Sequence, residues 1–309
     1  MYYVDIVTSA KNEERNISEL YARLEATMRA EGKSWRLIIA DNDSRDKTWN
    51  IIQDLALEKK NVIGIKMARD FGFENAIKAG LDISSSEVAI IMASDLQDAP
   101  EDIPLFLDKY KEGFNHVYQI VTSRPGVPKI RIFNTWLFYK IASYLSGGKI
   151  VKNVGDFRLI SHEIVEFMSK FPERNRFFRA MVNSSDNNSV GVRIARKQRV
   201  HGKSKSSAQY AFGLAFRGII LNSSGLLDLT SAISVIFGIM TLVAESGFLV
   251  SQLFSAVPHL HFAAGIYFLV AFFGFTSFTL GIISKYISLI FDEVRARPHY
   301  FIRETVGDS

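Results

Sequence analysis

Short apolar runs alternate with longer amphipathic segments through the first 120 or so residues. Runs bounded by polar residues predict buried strands, and segments with apolar residues three or four positions apart predict helices. The predicted strands read "YYVDIVTS", "WRLIIADN", "VIGIKMA", "EVAIIMAS" and "HVYQIVTS". The helices between them read "NISELYARLEATMRAEG", "DKTWNIIQDLALEKK", "GFENAIKAGLDIS" and a segment at about 102–112, and "GDFRLISHEIVEFMSKF" starts a further unit. This alternation predicts an α/β fold built on a mostly parallel sheet.

The pattern changes after residue 228. Between Leu229 and Lys285 the only acidic or basic residue is Glu245. At roughly 20 residues per span, this stretch is long enough for two transmembrane helices and a turn. We predict spans at about 229–252 and 262–286. The alternative, a buried helical hairpin in a soluble core, is disfavoured because two helices that are apolar on every side exceed what a core of this size covers.

Basic residues flank the predicted hairpin. Arg217 precedes it, Lys285 lies at the very end of the second span, and Arg295 and Arg297 follow it. The positive-inside rule therefore places both flanks, and with them the bulk of the chain, in the cytoplasm. The predicted organisation is a cytosolic domain (1–205), an interfacial amphipathic helix (206–228), the helical pair (229–288) and a cytosolic tail (289–309).

Composition narrows the partners. The chain has no cysteine, which excludes a disulfide framework and a thiolate metal site. Its net charge of +5 is compatible with nucleic acid, anionic lipid or a phosphorylated substrate. The basic strip at 193–205, which precedes the hairpin, has no interleaved aromatic residues, so we expect no nucleic acid partner. Within this strip, Arg196, Lys197 and Lys203 are interpreted as surface charge.

Three acidic or polar clusters follow three predicted strands. They are "KNEERNI" with Asn12 and Glu14, "ADNDSRDKT" with Asp41 and Asp43, and "SDLQDAPED". The chain contains neither GxGxxG nor GxxxxGK[ST], so phosphate binding needs another device. In an open α/β sheet these strand ends converge on one crevice, which indicates a polar pocket for a base and a ribose. For each cluster taken alone, helix capping remains the alternative.

The third cluster predicts a metal site. Asp95, Gln97 and Asp98 offer oxygen ligands of the kind that Mg²⁺ or Mn²⁺ binds together with diphosphate oxygens. The alternative is that Asp98, Glu101 and Asp102 cap and begin the next helix. We favour helix capping for Glu101 and Asp102, and the metal for Asp95.

Taken together, the motifs resemble a known family. "KNEERNI", "ADNDSRDKT", "ARDFGFENAIKAG", "SDLQDAPED", "GDFRLIS", "NRFFRAM", "RVHGKSK" and "IISKYISLIFDEVRARPHYFIRE" occur in the order seen in polyprenyl-phosphate glycosyltransferases of glycosyltransferase family 2. That group includes dolichol-phosphate mannose synthase and bacterial bactoprenol glucosyltransferases. The resemblance covers nearly the whole chain. It implies a GT-A (Rossmann-like) catalytic domain followed by a C-terminal two-helix transmembrane hairpin.

The resemblance also implies site residues and a metal, Mg²⁺ or Mn²⁺. Asp95 is implied at both the metal and the reaction centre. By position, the resemblance implies that Asp41 contacts the nucleobase, that Glu14 contacts the nucleoside, and that Asp95 and Gln97 bind the metal. It implies that Arg124 and Arg131 bind phosphates and that Asp156 and Arg158 lie at the reaction centre. The residues implied on the acceptor or diphosphate side are Arg179, Arg199 and Lys205, and the other implied substrate contacts are Asn12, Asp43 and Arg69.

One departure concerns the metal motif. The family usually reads DADLQD, whereas Ala93 and Ser94 precede Asp95 here, so one carboxylate is missing. The expected activity is inverting transfer from a nucleotide sugar, implied to be UDP-linked, to a polyprenyl phosphate such as undecaprenyl phosphate. The product would be a lipid-linked monosaccharide for surface glycan modification. Two alternatives stay open: another lipid or glycan acceptor, and a catalytically idle scaffold that binds nucleotide sugar.

The expected location is the bacterial inner membrane, with the catalytic domain on its cytoplasmic face and membrane lipids as partners. Small residues in the predicted spans allow close helix packing, and a homo-oligomer is expected from them. These residues are Gly238, Gly247, Gly265 and Gly274.

Overall fold

The computed structural model describes residues 2–122, 154–170, 188–197, 225–254, 258–295 and 297–307. Eight strands in these ranges form one sheet. The strands are β1 Val4–Ala10, β2 Trp35–Asp41, β3 Val62–Met67, β4 Val88–Ala93, β5 His116–Val121, β6 Val154–Ser161, β7 Ser189–Ile194 and β8 Ile302–Val306. Their order across the sheet is β7-β5-β6-β4-β1-β2-β3-β8.

Seven α-helices accompany the strands in the described ranges. They are α1 Ile17–Glu31, α2 Thr48–Glu58, α3 Phe73–Leu81, α4 Ile103–Lys111, α5 His162–Ser169, α6 Gly225–Phe254 and α7 Pro258–Val294. A short 3₁₀ turn, Pro100–Asp102, leads into α4. The α/β class predicted from the sequence is confirmed.

The central strands β1, β2, β3 and β4 run parallel, whereas β6 is antiparallel to both β4 and β5. β5 and β7 are parallel to each other, and β8 is antiparallel to β3. The sheet is therefore mixed. Because β1, β2 and β4 are parallel neighbours, their carboxyl ends lie together at one edge, where ligands bind in open α/β sheets.

Apolar side chains cover both faces of the sheet. On one face α1, α2 and α4 pack over residues such as Ile6, Ile39 and Ile90. On the other face α3 and α5 pack over Val7 and Ile38. Strands buried on both sides read as continuous apolar runs, which is why the sequence predicts them well.

Two glycines have backbone reasons to be glycine. Gly32 ends α1 in the left-handed conformation with φ of 63°, as the sequence predicted for this helix end. Gly80 lies where α3 crosses the sheet, and a Cβ there would overlap with the Cγ1 atom of Val7. The small residue lets the helix approach the strand closely.

A buried ion pair lies on the amino-terminal half of β1. Arg36 donates two hydrogen bonds of 2.8 Å to the carboxylate of Asp5, which is fully buried. The Ser84 hydroxyl and the Ser85 amide also donate to this carboxylate. Burial alone would raise the pKa of Asp5, but these donors and the Arg36 charge lower it.

The last part of the chain returns to the sheet. α7 continues to Val294, and β8 then pairs with β3 and forms one edge of the sheet. The sequence had left 289–309 as a tail without predicted elements, because a single five-residue edge strand gives little periodic signal. The Tyr300 hydroxyl donates a 2.6 Å hydrogen bond to Asp82, just after α3.

The helices α6 and α7 contact each other through stacked rings of Phe237 and Phe275, whose centroids are 4.8 Å apart. Most exposed large apolar side chains of the described residues lie on these two helices. By length and composition, one described segment, Phe268–Val294, is suited to cross a membrane, and Thr230–Val243 is a shorter apolar stretch. Two spans remain a prediction.

Candidate active site

Three turns with strained backbone follow the central strands. The described residues other than glycine with positive φ are Asn12 (53°), Asp43 (62°) and Leu96 (60°). Each follows the carboxyl end of a different strand: β1, β2 or β4. Left-handed backbone costs a residue such as Leu96 about 1–2 kcal/mol, whereas Asn and Asp adopt it more readily. Such strain concentrates at functional sites and persists only where surrounding contacts hold it, so this edge of the sheet is the candidate site.

The turns after β1 and β2 are hydrogen-bonded to each other. The side chain of Asn12 accepts a 2.7 Å hydrogen bond from the Arg45 amide, and Glu14 accepts a 3.1 Å bond from the Lys47 amide. The predicted substrate residues Asn12 and Glu14 thus hold the turns in place. Asp43 is exposed at the same edge.

Asp41 ends β2 and is almost completely buried, at 1% exposure. The Ser44 amide lies 3.4 Å from its Oδ2 atom, while Oδ1 has no hydrogen-bond partner among the described residues. Burial raises the pKa of Asp41, and hydrogen bonds from Ser44 oppose the rise. A buried acceptor oxygen without a donor is expensive in a folded protein, so a ligand donor at this point is chemically reasonable.

The turn after β3 is attached to the same edge. Asn42 donates a 2.7 Å hydrogen bond to Asp70, and Lys11 forms an ion pair with the same carboxylate. The predicted substrate residue Arg69 is exposed next to it, and its guanidinium lies 4.6 Å from the ring centroid of Phe71. This network therefore connects the ends of β1, β2 and β3.

Asp95 follows β4 and is 6% exposed. Its Oδ1 atom accepts a 3.1 Å hydrogen bond from the Gln97 amide across the left-handed Leu96. The Ser94 hydroxyl donates to the carbonyl of Ser9 at 2.9 Å, which fixes this turn against the end of β1. The predicted metal ligands Asp95 and Gln97 therefore lie in the same tight turn, which we call the metal loop (Asp95–Asp98).

Asp98 closes the metal loop and is completely buried. Burial raises its pKa to about 6; Arg196 opposes the rise, and the carboxylates of Asp95 and Asp156 add to it. The Nε atom of Arg196 lies 3.4 Å from Oδ1 of Asp98 without hydrogen-bond alignment. The interpretation of Arg196 as surface charge is wrong, because its guanidinium is the counter-charge of a buried carboxylate.

Asp156 and Arg158 lie near the start of β6. Ile91 of β4 pairs with Arg158, so the antiparallel register leads from there towards Ala93 and Asp156 on adjacent strands. Arg158 is 1% exposed and donates to the backbone carbonyls of Gly155 (3.0 Å) and Asp156 (3.3 Å). A carboxylate from β6 thus comes close to the position where Ala93 lacks one.

The residues after the metal loop form ion pairs. Glu101 receives a two-pronged pair of hydrogen bonds from Arg23, at 2.6 and 2.7 Å, and its carboxylate lies 3.6 Å from the Lys197 ammonium. The Arg23 hydrogen bond, more than any other contact, lowers the pKa of Glu101 to about 2. The helix-capping interpretation therefore misses the main contact of Glu101, which joins α1 to the start of α4.

The structure brings together the predicted residues Asn12, Glu14, Asp41, Asp43, Arg69, Asp95, Gln97, Asp156 and Arg158 near one edge of the sheet. The predicted residues Arg124, Arg131, Arg179, Arg199 and Lys205 lie outside the described residues. The sequence reasoning missed Asn42 and Asp70. The only available signal was their place directly after strands, since nothing in their local pattern indicates a contact across 28 residues.

The donor set suits a hard divalent cation only in part. Asp95 and Gln97 offer oxygen atoms, and the carboxylates of Asp95 and Asp156 add to the raised pKa of the buried Asp98. Within the part of the chain that the structure describes, no three His, Asp or Glu side chains form a ready-made metal cage. An ion here would depend on oxygen atoms from its ligand, which is usual for Mg²⁺ with diphosphates.

Comparisons of sequence and of fold relate the chain to known proteins. Residues 5–168, more than half of the chain, match the sequence model of glycosyl transferase family 2. The chain is 28% identical over 302 residues to the SfII prophage-derived bactoprenol glucosyl transferase of Shigella flexneri, with 98% of each chain covered. It is 30% identical over 317 residues to the undecaprenyl-phosphate 4-deoxy-4-formamido-L-arabinose transferase of Pseudomonas paraeruginosa, covering 98% of this chain and 90% of that protein.

Among solved structures, a crystal structure described as that of a mycobacterial protein superposes with a TM-score of 0.50 at 16% identity, covering 74% of each chain. At this identity the likeness concerns the fold alone.

Proposed function

The chain belongs to glycosyl transferase family 2, and from this we propose that it transfers a sugar from a nucleotide sugar to the phosphate of a polyprenyl phosphate. The observation that carries the proposal is the match to two transferases named for such acceptors over 98% of this chain. The mixed sheet has the GT-A-like arrangement that the family implies. Its carboxyl edge, where the strained turns lie, is the proposed reaction site.

The nucleotide is proposed to bind across the ends of β1 and β2. The unpartnered Oδ1 atom of Asp41 is a suitable acceptor for an N–H group of a base. Asn12 and Glu14 hold the two turns in register, and Asp43 and Arg69 offer exposed polar groups beside them. We propose UDP as the nucleotide because the family resemblance implies it.

Asp95 and Gln97 are the proposed ligands of Mg²⁺ or Mn²⁺, together with diphosphate oxygens. When bound, such an ion acts as a Lewis acid that stabilises the departing nucleotide diphosphate. Asp156 comes from the neighbouring strand β6 and adds negative charge at the loop. The metal site is thus proposed to use two strands, which offsets the carboxylate absent at Ala93.

The acceptor needs little activation. The second pKa of a phosphate monoester is about 6, so the acceptor is largely a dianion in the cytosol. Attack of its oxygen on the anomeric carbon, from the side opposite the diphosphate, inverts that centre. Asp156 is therefore proposed to orient the sugar or the acceptor. Arg158 fixes the backbone that carries Asp156, because it donates to the carbonyls of Gly155 and Asp156.

Phosphate groups of both substrates require cations. Arginine suits this task because its forked guanidinium matches phosphate oxygens. Arg124, Arg131, Arg179, Arg199 and Lys205 are the proposed ligands, carried over from the family resemblance. Lys197 ends the described part of this region with its amide hydrogen-bonded to the carbonyl of Gln97 at 3.1 Å, two positions before Arg199.

The path of the chain supports two membrane crossings. β7 and β8 belong to the same sheet, and α6 and α7 lie between them in the sequence. A chain that leaves and rejoins one folded domain crosses a bilayer an even number of times. If α7 crosses, a second segment must cross as well, and α6 is the proposed one because it is long, apolar and exposed.

This topology places the catalytic domain on one side of the membrane. We propose that this side is the cytoplasm of a bacterial inner membrane, because basic residues lie around the hairpin. The interfacial helix proposed at 206–228 lies outside the described residues as far as residue 224. A homo-oligomer through the helical pair also remains a proposal.

A reconstituted assay tests the activity. The full chain in detergent is incubated with undecaprenyl phosphate, Mn²⁺ or Mg²⁺ and a panel of UDP-sugars, and both labelled lipid and released UDP are measured. We expect turnover with at least one sugar, and its loss on metal chelation or with the neutral polyprenol, which lacks the attacking phosphate.

The Asp95→Asn variant tests the metal loop. We expect turnover to fall by about 100-fold or more, because removal of a transition-state charge partner usually has this effect. Asp108→Asn is the matched control, since Asp108 is an exposed carboxylate on α4 that pairs with Lys111. Nucleotide-sugar binding without turnover in the wild-type protein would support the idle scaffold instead.

A further inference from the structure

The metal loop has a conformation that it does not hold by itself. Leu96 has φ of 60° and is completely buried, so the loop contains a residue in a strained backbone conformation. Within the loop, the Gln97 amide bonds to Asp95, and the Ala93 amide lies 3.4 Å from Asp98. Contacts from outside the loop are therefore needed to keep Asp95 and Gln97 in place.

Such contacts come from the segment that follows β7. β7 is the edge strand of the sheet, with β5 and β6 between it and β4. After Ile194 the chain reaches the end of β4, where the Lys197 amide donates a 3.1 Å hydrogen bond to the Gln97 carbonyl. One residue earlier, the Arg196 guanidinium lies 3.4 Å from Asp98.

Asp98 depends on this guanidinium. Its side chain is fully buried, and the Arg196 guanidinium that faces it is only a quarter exposed. Across the described residues, Arg196 is the cation found within 4 Å of it. A buried charge that loses its partner is strongly destabilising, and a change in loop conformation would relieve that cost.

We infer that Arg196 is a positioning residue that holds the metal loop in its metal-binding conformation by docking on Asp98, while the neighbouring amide of Lys197 fixes Gln97. The inference rests on the proposed function for the identity of the ion. If the inference holds, the segments that follow β4 and β7 jointly set the metal affinity. Arg196 contributes to it although its guanidinium cannot itself coordinate a cation.

The test compares folded variants for Mn²⁺ binding in the presence of UDP. Free and bound Mn²⁺ are measured by electron paramagnetic resonance on the full chain in detergent, so the readout does not depend on turnover. We expect Arg196→Met to weaken Mn²⁺ binding by about tenfold or more, the usual loss when a group that supports a metal ligand is removed. Arg196→Lys keeps the charge and should recover part of the affinity.

The matched control is Arg193→Met. Arg193 is exposed on β7, so this variant makes the same chemical change three residues away. Its Mn²⁺ affinity should equal that of the wild type. In the activity assay, Arg196→Met should mainly raise the Mn²⁺ concentration needed for half-maximal rate, and saturating Mn²⁺ should restore kcat to within about threefold.

The double variant Asp98→Asn/Arg196→Met separates positioning from stability. It also removes the Asp98 carboxylate that Arg196→Met leaves without its partner, so it should fold even if Arg196→Met does not. Positioning predicts that its Mn²⁺ affinity stays low, because the loop has still lost its attachment. Wild-type affinity in folded Arg196→Met or in the double variant would overturn the inference. A wild-type protein that binds Mn²⁺ and UDP but transfers no sugar would instead contradict the proposed function.

Discussion

His116 is expected to make the protein sensitive to acid. It lies on β5, fully buried, and neither ring nitrogen has a hydrogen-bond partner among the described residues. Burial, and secondarily the charge of Arg158 on the adjacent strand, lowers its pKa from 6.5 to about 3. The perturbation is His116→Leu, which keeps a similar volume and removes the titratable group.

The sign and size of the effect of His116 on the free energy of unfolding follow from proton linkage. The folded-state pKa lies below the unfolded value, so below pH 6.5 the unfolded chain binds a proton that the folded chain does not. The stability that depends on neutral His116 is therefore fully present above about pH 6.5 and is lost as the pH drops towards 3. Since each pH unit in this range is worth about 1.4 kcal/mol, His116 should destabilise the protein by about 2 kcal/mol at pH 5.

The assay is urea unfolding of the full chain in detergent at a series of pH values, followed by fluorescence of Trp35 and Trp49 in the sheet domain. At about pH 7.5 His116→Leu should differ from the wild type by less than about 1 kcal/mol, because no hydrogen bond is lost. At pH 5 it should be more stable by about 2 kcal/mol. Titration of other groups is common to both proteins and cancels in the difference.

His162→Gln is the control, because His162 is exposed at the start of α5 and its replacement should leave the wild-type pH profile unchanged. The reasoning is refuted if the wild type and His116→Leu lose stability equally between pH 7.5 and pH 5.

Two further predictions concern the packing of β1. Gly80→Ala should lower the free energy of unfolding by about 1–3 kcal/mol, since its Cβ would overlap with Val7; Val7→Ala in the same chain should recover part of the loss, and strict additivity of the two changes would argue against the contact. Asp5→Ala should cost about 3–5 kcal/mol by leaving Arg36 buried without its partner; Asp5→Ala/Arg36→Met, measured by the same urea unfolding, should be more stable than the single variant, and an equally unstable double variant would refute this.

The sequence predicts local elements well where periodicity is strong. All five strands predicted before residue 123 exist, and α1 ends at Gly32 as its left-handed cap requires. Among the described elements, the sequence left β7 and β8 unassigned and marked the segment of β6 and α5 only as the start of a further unit. The strands β7 and β8 are both short edge strands, and in β7 only Ile194 is buried. Their existence depends on pairing with the neighbouring strand and not on their own pattern of apolar residues.

For the site, the position of a residue after a strand was enough to select Asp41 and Asp95, because parallel strands deliver their ends to one edge whatever the rest of the chain does. The sequence did not predict that Asp98 is paired with Arg196. These residues are far apart in the chain, and the sequence around Arg196 reads as a solvated basic strip. Only the three-dimensional path of the segment after β7 brings the Arg196 guanidinium next to the buried Asp98.

The amino-acid sequence by itself determined the α/β class, the strand ends that carry the polar residues and the apolar pair of helices, since each depends on local periodicity and charge. The tertiary structure alone decided which charges meet. Arg196 pairs with the buried carboxylate of Asp98 after β4, Asp156 of β6 is close enough to add to the raised pKa of Asp98, and β8 rejoins the sheet after α7. The physical reason is that the energy of a charge depends on burial and on its nearest counter-charge, and both are set by contacts between residues distant in the chain.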